Sequence, residues 1–257
     1  MAKSRNIIVT GGARRLGAAI VRRLVARGHR VVIHHHRSGD KARALAAGLG
    51  HDAAVPIAAD LADHDGLGAF VAAARAALGG PIDGLVNSAS VFRFDAPPLE
   101  SGALFEALAR VNVTAPVLLA SLLAAQDDLE DGAIVNILDQ KLANLNPDFF
   151  SYTLTKAALD AATTMLAQSL APRVRVNAVS PGLTLPSLDQ TAAEFATVAR
   201  ENLLRRPIDA EAIGDAVAYL IEAPSVTGQN LFVDNGQRFL PRTGDVMFSA
   251  RDGGEQR

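Results

Sequence analysis

A tyrosine and a lysine one helical turn apart are the residues of this chain whose types and spacing most directly indicate chemistry. Tyr152 is one of only two tyrosines, and Lys156 follows it four residues later in a stretch that reads as helix. Residues four apart lie on one helix face. A lysine ammonium beside a phenol favours the phenolate and so lowers the pKa of the tyrosine. The pair is therefore a candidate acid/base centre near neutral pH.

A phosphate-binding turn is predicted near the N-terminus. Asn6 to Thr10 reads as a short buried strand, which runs into the glycine-bearing turn Gly11 to Gly17 and then into an apolar helical pattern. Unpaired N–H groups at such a junction point outward, and the helix dipole favours an anion. Gly11 and Gly17 would allow close approach to a pyrophosphate. A plain turn is the alternative, but the flanking strand and helix favour a phosphate site.

The end of the second predicted strand indicates which dinucleotide is bound. NAD-binding domains usually carry an acidic residue there, which accepts from the ribose 2′-hydroxyl. Here His36, Arg37 and Ser38 occupy that place. A guanidinium with hydroxyl and imidazole donors suits a 2′-phosphate, and Arg14 would reach it from the glycine turn. These residues predict NADPH/NADP, and a merely solvated basic loop is the alternative.

Composition excludes several other classes. The 257 residues are 49% hydrophobic with no evident linker, so residues 1–257 are interpreted as a single domain. The net charge is -2 without a basic, aromatic-rich stripe, so no nucleic acid partner is expected. Cysteine is absent and adjacent His34 and His35 would point to opposite strand faces, so no metal site is expected. No signal peptide or membrane span is predicted, which favours the cytoplasm.

Short β-rich runs alternate with alanine-rich helical stretches along the chain. This alternation predicts βαβ crossovers and a doubly wound α/β domain, with its ligand outside the carboxyl ends of the strands. The predicted strands are Asn6 to Thr10, Arg30 to His34, Ala54 to Ala58, Gly84 to Asn87, Ala133 to Ile137, Arg173 to Val179 and Asn230 to Val233. Two long helices are predicted, at Leu99 to Gln126 and at Phe150 to Leu170.

Five motifs in register resemble those of the short-chain dehydrogenase/reductase family. They are Thr10-Gly11-Gly12-Ala13-Arg14-Arg15-Leu16-Gly17, Asn87-Ser88-Ala89-Ser90, Asn112, Tyr152-x-x-x-Lys156 and Ser180-Pro181-Gly182. The resemblance covers nearly the whole chain, as far as Val233-Asp234-Asn235-Gly236. It implies a single-domain Rossmann fold with a seven-stranded parallel sheet flanked by helices. It also implies a homotetramer built through the two long helices.

The resemblance implies roles for the motif residues. Lys156 would hold the nicotinamide ribose, and Asn112 would anchor a proton-relay water. Asp60 and Leu61 resemble the pair that contacts adenine. The other residues expected at the cofactor are Gly11, Arg15, Leu16, Gly17, Asn87, Ser88, Ala89, Tyr152, Pro181 and Gly182.

One departure from the family pattern indicates a branch. The family usually places a serine about thirteen residues before the tyrosine, and Asp139 stands there instead. An aspartate at this place resembles the pteridine reductases and dihydromonapterin reductases, as do the segments Arg14 to Gly17, His34 to Ser38 and Asn87 to Phe92. The implied reaction is reduction of a ring C=N bond of a dihydropterin by NADPH. Tyr152 would donate the proton, directly or through Asp139.

The substrate site and its alternatives follow from this branch. The residues expected at the substrate are Arg15, Ser90, Phe92, Asp139, Tyr152 and Leu183, with Phe92 stacking on the pterin. Residues 183–205 are expected to form a mobile lid. Three alternatives stay open: an inactive enzyme that has lost the serine, a carbonyl reductase acting on a 3-oxoacyl thioester or a sugar, and a regulator that binds NADPH without turnover. The intact Tyr152 and Lys156 disfavour the regulator.

Overall fold

Seven parallel strands form the centre of the molecule. The computed structural model describes residues 4–50, 52–187 and 190–248. The sheet order is β3-β2-β1-β4-β5-β6-β7. The strands are β1 Asn6–Val9, β2 Arg30–His35, β3 Ala54–Ala58, β4 Gly84–Asn87, β5 Gly132–Ile137, β6 Val174–Pro181 and β7 Asn230–Val233. The strand order reverses between β1 and β4, which opens the ligand crevice of a doubly wound fold at their carboxyl ends. The predicted fold class is confirmed.

Helices cover both faces of this sheet. They are α1 Arg15–Ala26, α2 Gly39–Leu49, α3 Leu67–Leu78, α4 Ala103–Ala109, α5 Ala115–Ala124, α6 Phe150–Ser169, α7 Ala192–Val198 and α8 Ala210–Glu222. Successive strand residues point to opposite faces, so Ile7 and Val9 of β1 pack with α1 and α8, whereas Ile8 packs with α3 and α5. Burying each such side chain contributes about 1.5–3 kcal/mol to folding. The strands are therefore apolar on both faces, as a parallel sheet requires.

The predicted helix from Leu99 to Gln126 is wrong in extent and in pitch. The α-helical part begins at Ala103, and the π-helical segment Arg110–Thr114 separates α4 from α5. Asn112 lies in this segment. A π-helical turn often occurs at a functional site. The apolar pattern of the stretch is compatible with an unbroken helix, but Pro116 in the first turn of α5 has no N–H to donate to the residue four before it and is a local sign of the change.

The same stretch is apolar enough to resemble a membrane span. By length and composition alone, Ala103–Ala124 would cross a bilayer, although 39% of its most apolar window is buried inside the protein. Leu119 and Leu123 pack in the core beneath the sheet. Part of the stretch thus packs as a core helix, and the absence of a membrane span stays a prediction.

Other boundaries differ by a few residues. β6 extends to Pro181, which pairs with Val233 of β7 and therefore lies in the sheet, whereas Ser180-Pro181-Gly182 reads as a turn in the sequence. The second long helix ends at Ser169, one residue before the predicted Leu170. That residues 1–257 form a single domain stays a prediction.

Candidate active site

Tyr152, Lys156 and Asp139 lie together at the carboxyl end of β5. Asp139 follows β5 closely, and the other two residues lie in the first turns of α6. The Tyr152 hydroxyl donates to Oδ2 of Asp139 over 2.9 Å, and Nζ of Lys156 donates to the Ile137 carbonyl over 2.7 Å. Oδ1 of Asp139 accepts from the Lys141 backbone N–H at 2.9 Å. Three of the four residues predicted to be catalytic are thus in one cluster, Asn112 being the fourth, and their roles stay predictions.

Burial dominates the electrostatics of this cluster. It raises the pKa of Asp139, against the hydrogen bonds that Lys141 N–H and Tyr152 donate to the carboxylate. Burial, followed by the charge of Asp139, raises the pKa of Tyr152 well above its ordinary value. Burial also lowers the pKa of Lys156 to about 8, although the charge of Asp139 opposes this change. Raised pKa values favour the protonated carboxyl and phenol, which are proton donors.

The predicted lowering of the Tyr152 pKa by Lys156 is wrong in this structure. Nζ of Lys156 binds a backbone carbonyl and lies 5.7 Å from the centroid of the tyrosine ring. The Asp139 carboxylate instead accepts directly from the phenol, so its charge has the larger influence. The sequence places Lys156 one turn from Tyr152 but contains no information on which partner the ammonium takes.

Asn112 ties the loop after β4 to α6. Its Oδ1 accepts from Val91 N–H at 2.8 Å, and its Nδ2 donates to the Val91 carbonyl and to Oγ1 of Thr155 at 3.0 and 3.1 Å. The Thr155 hydroxyl in turn donates to the Tyr152 carbonyl over 2.7 Å. Asn112 therefore positions the chain that leads to Phe92, and its role with a relay water stays a prediction.

Aromatic rings line one side of the cluster. Phe92 is 41% exposed, stacks on Phe149 with centroids 4.1 Å apart, and meets Tyr152 edge-on at 4.7 Å. Phe248 lies parallel to Phe149, with the two ring centroids 5.9 Å apart. Phe92 thus lies beside the tyrosine with an exposed surface for a flat ring, and its stacking on a pterin stays a prediction. Phe149 and Phe248 are missed by the sequence reasoning, because they are distant in the chain and meet only through the fold.

The glycine turn has the close approaches that only glycine permits. Gly11 has φ +65°, and a Cβ there would lie 2.9 Å from Cα of Ala89. A Cβ on Gly17 would collide with the Gly11 carbonyl. Leu16 packs against the core beneath α1. The Thr10 hydroxyl accepts from the N–H groups of Ser88 and Ala89, both at 3.0 Å, and so joins the ends of β1 and β4.

His34 fixes this turn from the neighbouring strand. Its Nδ1 accepts from Gly11 N–H at 3.0 Å, and its Nε2 lies 3.1 Å from the Ala59 carbonyl, so the ring proton is on Nε2. Burial lowers the pKa of His34 to about 4, which keeps the ring neutral. Within residues 4–50, 52–187 and 190–248, no group of three or more His, Asp or Glu residues could hold a metal ion. The sequence reasoning rejected His34 as a metal ligand and placed it in a family-like segment, but missed this structural role.

The residues predicted to bind the adenosine half border the ends of β1, β2 and β3. Arg14 and Arg37 are exposed, and Ser38 precedes α2 as its N-cap residue. Nε2 of His36 lies 3.8 Å from Oδ2 of Asp60. Leu61 is buried and packs with α3. This half of the site therefore presents cationic side chains to solvent at the place where a 2′-phosphate is expected.

Arg15 has an additional contact. Its backbone is in the left-handed region, with φ +51°, which is uncommon for a residue with a side chain. Its guanidinium donates to the Pro186 carbonyl over 2.7 Å. Arg15 thus joins the glycine turn to the start of the predicted lid. Ser90, its predicted companion at the substrate, is exposed after β4.

The predicted lid contains more regular structure than the sequence indicates. It includes α7, whose N-terminus has a capping box between Thr191 and Glu194. Leu188 and Asp189 lie outside the described residues. Leu183 N–H donates to Oε1 of Gln237 at 2.8 Å, and a Cβ on Gly182 would lie 2.6 Å from Ile208. The predicted lid therefore contains a helix, and its mobility stays a prediction.

The site fits a dinucleotide. A Cβ on Gly11 or Gly17 would collide with neighbouring backbone, so the turn at the N-terminal end of α1 consists of bare backbone. Nδ2 of Asn87 donates to Oδ1 of Asn136 at 2.8 Å, but the buried Oδ1 of Asn87 has no hydrogen-bond partner among the described residues. A buried acceptor without a partner is costly and indicates a donor supplied by a ligand. The hydroxyls and the carboxamide of a nicotinamide nucleotide are donors of that kind.

Charge reversal at Arg37 tests the cofactor prediction. In Arg37→Asp, NADPH affinity should fall roughly 10- to 100-fold while NADH affinity changes little, because a hydrogen bond to a charged group contributes about 1.5–3 kcal/mol. Binding titrations with both nucleotides measure this. Arg27→Asp, at the opposite end of α1, is the matched control and should leave the ratio of the two affinities unchanged. Unchanged NADPH affinity in Arg37→Asp would mean that the loop is only solvated.

Comparison with known proteins agrees with this geometry. A family model described as enoyl-(acyl carrier protein) reductase matches residues 11–238. The crystal structure of FolM alternative dihydrofolate reductase 1 from Brucella canis, complexed with NADP, is 42% identical, with a TM-score of 0.87, covering 93% of this chain and 96% of that one. Dihydromonapterin reductase from Klebsiella pneumoniae is 26% identical over 91% of this chain and 96% of its own length. Carbonyl reductase family member 4 from Danio rerio is 32% identical over 92% of this chain and 99% of its own length. The chain belongs to the short-chain dehydrogenase/reductase family of oxidoreductases.

Proposed function

We propose that this enzyme uses NADPH to reduce a C=N bond of a dihydropterin. The observation that carries the proposal is the 2.9 Å hydrogen bond from the Tyr152 hydroxyl to Asp139. The pair holds an exchangeable proton between phenol and carboxyl and can transfer it to a ring nitrogen, whereas the carboxylate left after that transfer would repel the negative charge that develops on a ketone oxygen. The pair therefore suits an imine better than a ketone.

The relatives support the substrate class and the cofactor. A dihydromonapterin reductase and a FolM alternative dihydrofolate reductase are among the proteins that this chain resembles, and the latter was crystallised with NADP. The exposed Arg14 and Arg37 supply the positive charge that NADPH requires and NADH does not.

Each residue of the cluster has a distinct part in the proposed reaction. Bound NADPH supplies the hydride. Tyr152 and Asp139 hold a proton at the phenol and the carboxyl, and they deliver it to the substrate nitrogen. Lys156, whose pKa burial lowers to about 8, would bind the nicotinamide ribose. Phe92 would stack on the pterin ring and hold it parallel to the nicotinamide.

A carbonyl reductase is the second candidate. The similarity to carbonyl reductase family member 4 favours it. Asp139 disfavours it, because a serine hydroxyl at this place would donate to a ketone oxygen and a carboxylate would not. A regulator that binds NADPH without turnover is less compatible with the intact cluster of Asp139, Tyr152 and Lys156.

Parallel kinetics with NADPH test the proposal. Dihydrobiopterin, dihydromonapterin and a 3-oxoacyl thioester are assayed side by side with the same enzyme preparation. We expect kcat/KM for at least one dihydropterin to exceed that for the thioester. Faster reduction of the thioester would identify a carbonyl reductase, and tight NADPH binding without turnover of any substrate would identify the regulator.

We also propose that the enzyme is a homotetramer assembled through α4, α5 and α6. Phe105 of α4 and Leu154 and Met165 of α6 are 37%, 44% and 66% exposed. These helices therefore carry apolar side chains outside the core, which a subunit interface would bury. Light scattering should return four times the mass of the 26.8 kDa chain. A mass of one chain would contradict this assembly. Localisation in the cytoplasm stays a prediction.

A further inference from the structure

Lys141 is a buried charged residue for which the proposed reaction has no use. It lies two residues after Asp139, in the 3-10 helix Gln140–Ala143, and is 4% exposed. Burying an ammonium is costly unless it is paired and hydrogen-bonded. Its Nζ donates to Oδ2 of Asp245 at 3.0 Å and to the Asp148 carbonyl at 2.6 Å. Asp245 lies in the C-terminal part of the chain, and Asp148 lies in the turn that precedes α6. The side chain therefore joins these two segments to the segment that contains Asp139.

The first of these segments comes from the C-terminal part of the chain, residues 241–248. Asp245 accepts from Met247 N–H through Oδ1 at 3.1 Å, and its own N–H donates to Oδ2 of Asp148 at 2.7 Å. Met247 is buried in a cluster with Phe149 and Tyr152. The ion pair with Lys141 therefore holds this segment against the catalytic tyrosine.

The second segment contains the aromatic wall. The Asp148 carbonyl that Lys141 binds belongs to the peptide bond preceding Phe149. Phe149 has φ +52°, a backbone conformation that persists only where the surroundings impose it. Nζ of Lys141 also lies 5.5 Å from the Phe149 ring centroid, within range of a cation–π interaction. Because Phe92 stacks on Phe149, the orientation of this ring determines where a flat substrate can lie.

The third segment is the catalytic one. The Lys141 backbone N–H donates to Oδ1 of Asp139, and the charge of Asp245 raises the pKa of both Asp139 and Tyr152. The charged and titratable groups that influence Asp139 are Tyr152 and Lys156 from α6 and Asp245 from the C-terminal segment. The Lys141 ammonium contacts the Asp245 carboxylate directly and so compensates its negative charge beside Asp139.

We infer that Lys141 is a positioning residue that, through its ion pair with Asp245, fastens residues 241–248 and Phe149 around Asp139. This inference rests on the proposed function for its effect on turnover, but its structural part does not need a substrate. Two variants separate charge from packing. Lys141→Met removes the ammonium and leaves Asp245 uncompensated, whereas Asp245→Asn removes the negative charge and keeps a side chain of the same shape.

The two variants should displace the pH dependence in opposite directions. In Lys141→Met the uncompensated Asp245 raises the apparent pKa in the profile of kcat/KM, and in Asp245→Asn this apparent pKa falls. We also expect kcat of Lys141→Met to fall roughly 10-fold or more with NADPH affinity unchanged, as for a loss of orientation at the reacting centre. If Lys141 only stabilised the fold, both variants would lose activity without shifting the pH profile of kcat/KM in opposite directions. The profiles are measured with a dihydropterin, or with the thioester if only that is reduced.

Hydrogen exchange tests the structural part of the inference without any need for turnover. In Lys141→Met, the amides of Asp245 and Met247 should exchange faster than in the wild type. Arg242→Met is the matched control. Arg242 lies in the same C-terminal segment, but its ion pair is with Glu201 and not with a neighbour of Asp139. Equal exchange at residues 245–248 in both variants would overturn the inference, as would displacement of both pH profiles in the same direction. Failure of the enzyme to reduce dihydropterins would leave the exchange result intact and would overturn only the proposed function.

Discussion

Replacing Tyr152 with phenylalanine is expected to lower kcat for dihydropterin reduction by roughly 10²- to 10⁴-fold, the usual contribution of a positioned proton donor. The ring would still fill its place between Phe92 and Met247, so folding and NADPH affinity should change little. Steady-state kinetics and a nucleotide titration measure the two effects separately.

The second tyrosine supplies the control. Tyr219 lies on α8 and is 53% exposed, remote from the hydrogen bonds of the cluster. Tyr219→Phe should retain the activity of the wild type. Equal activity of Tyr152→Phe and Tyr219→Phe would remove Tyr152 from the mechanism.

Asp139→Ser should lose most dihydropterin reduction, roughly 10²-fold or more, because a serine cannot relay a proton to a ring nitrogen as a carboxyl does. Asp139→Asn should behave similarly, since it keeps the shape but cannot carry the proton. NADPH affinity should stay near that of the wild type in both variants, because Asp139 contacts Tyr152 and Lys141 in the structure. Initial rates and nucleotide titrations measure these effects.

The serine variant also distinguishes the two candidate activities. If the enzyme is a carbonyl reductase, a serine at position 139 should increase rather than decrease thioester reduction. Wild-type rates of dihydropterin reduction in Asp139→Ser and Asp139→Asn would show that the aspartate is a bystander. The protein would then be assigned only as a short-chain reductase whose substrate is not specified.

Much of the fold was predictable because its signals are local. Apolar runs such as Ile7 to Val9 and Val31 to Ile33 identify strands buried on both faces, and the glycine turn identifies the junction of β1 and α1. Boundaries were less predictable where two local signals compete. Ser180-Pro181-Gly182 has the composition of a turn, but pairing with β7 keeps Pro181 in the sheet.

Residues of the candidate site could be proposed from the sequence where they belong to a motif, but their contacts between segments could not. Tyr152 and Lys156 share a helix, and Asp139 could be assigned by its distance from them along the chain. Lys141 and Asp245 are 104 residues apart and meet only through the fold. His34 similarly reaches Gly11 of the neighbouring strand's turn, 23 residues away. The direction of the Tyr152 pKa also depended on tertiary structure, because burial and the partner chosen by Lys156 decide it.

Hydride transfer to a pterin carbon is the central claim, and isotope transfer tests it most directly. The enzyme is incubated with NADPH deuterated at nicotinamide C4 and with a mixture of dihydromonapterin and a 3-oxoacyl thioester, and the products are analysed by mass spectrometry. The proposed reaction predicts one deuterium on a ring carbon of the tetrahydropterin and little label in the thioester product. A deuterated hydroxyacyl thioester beside unlabelled pterin would contradict it.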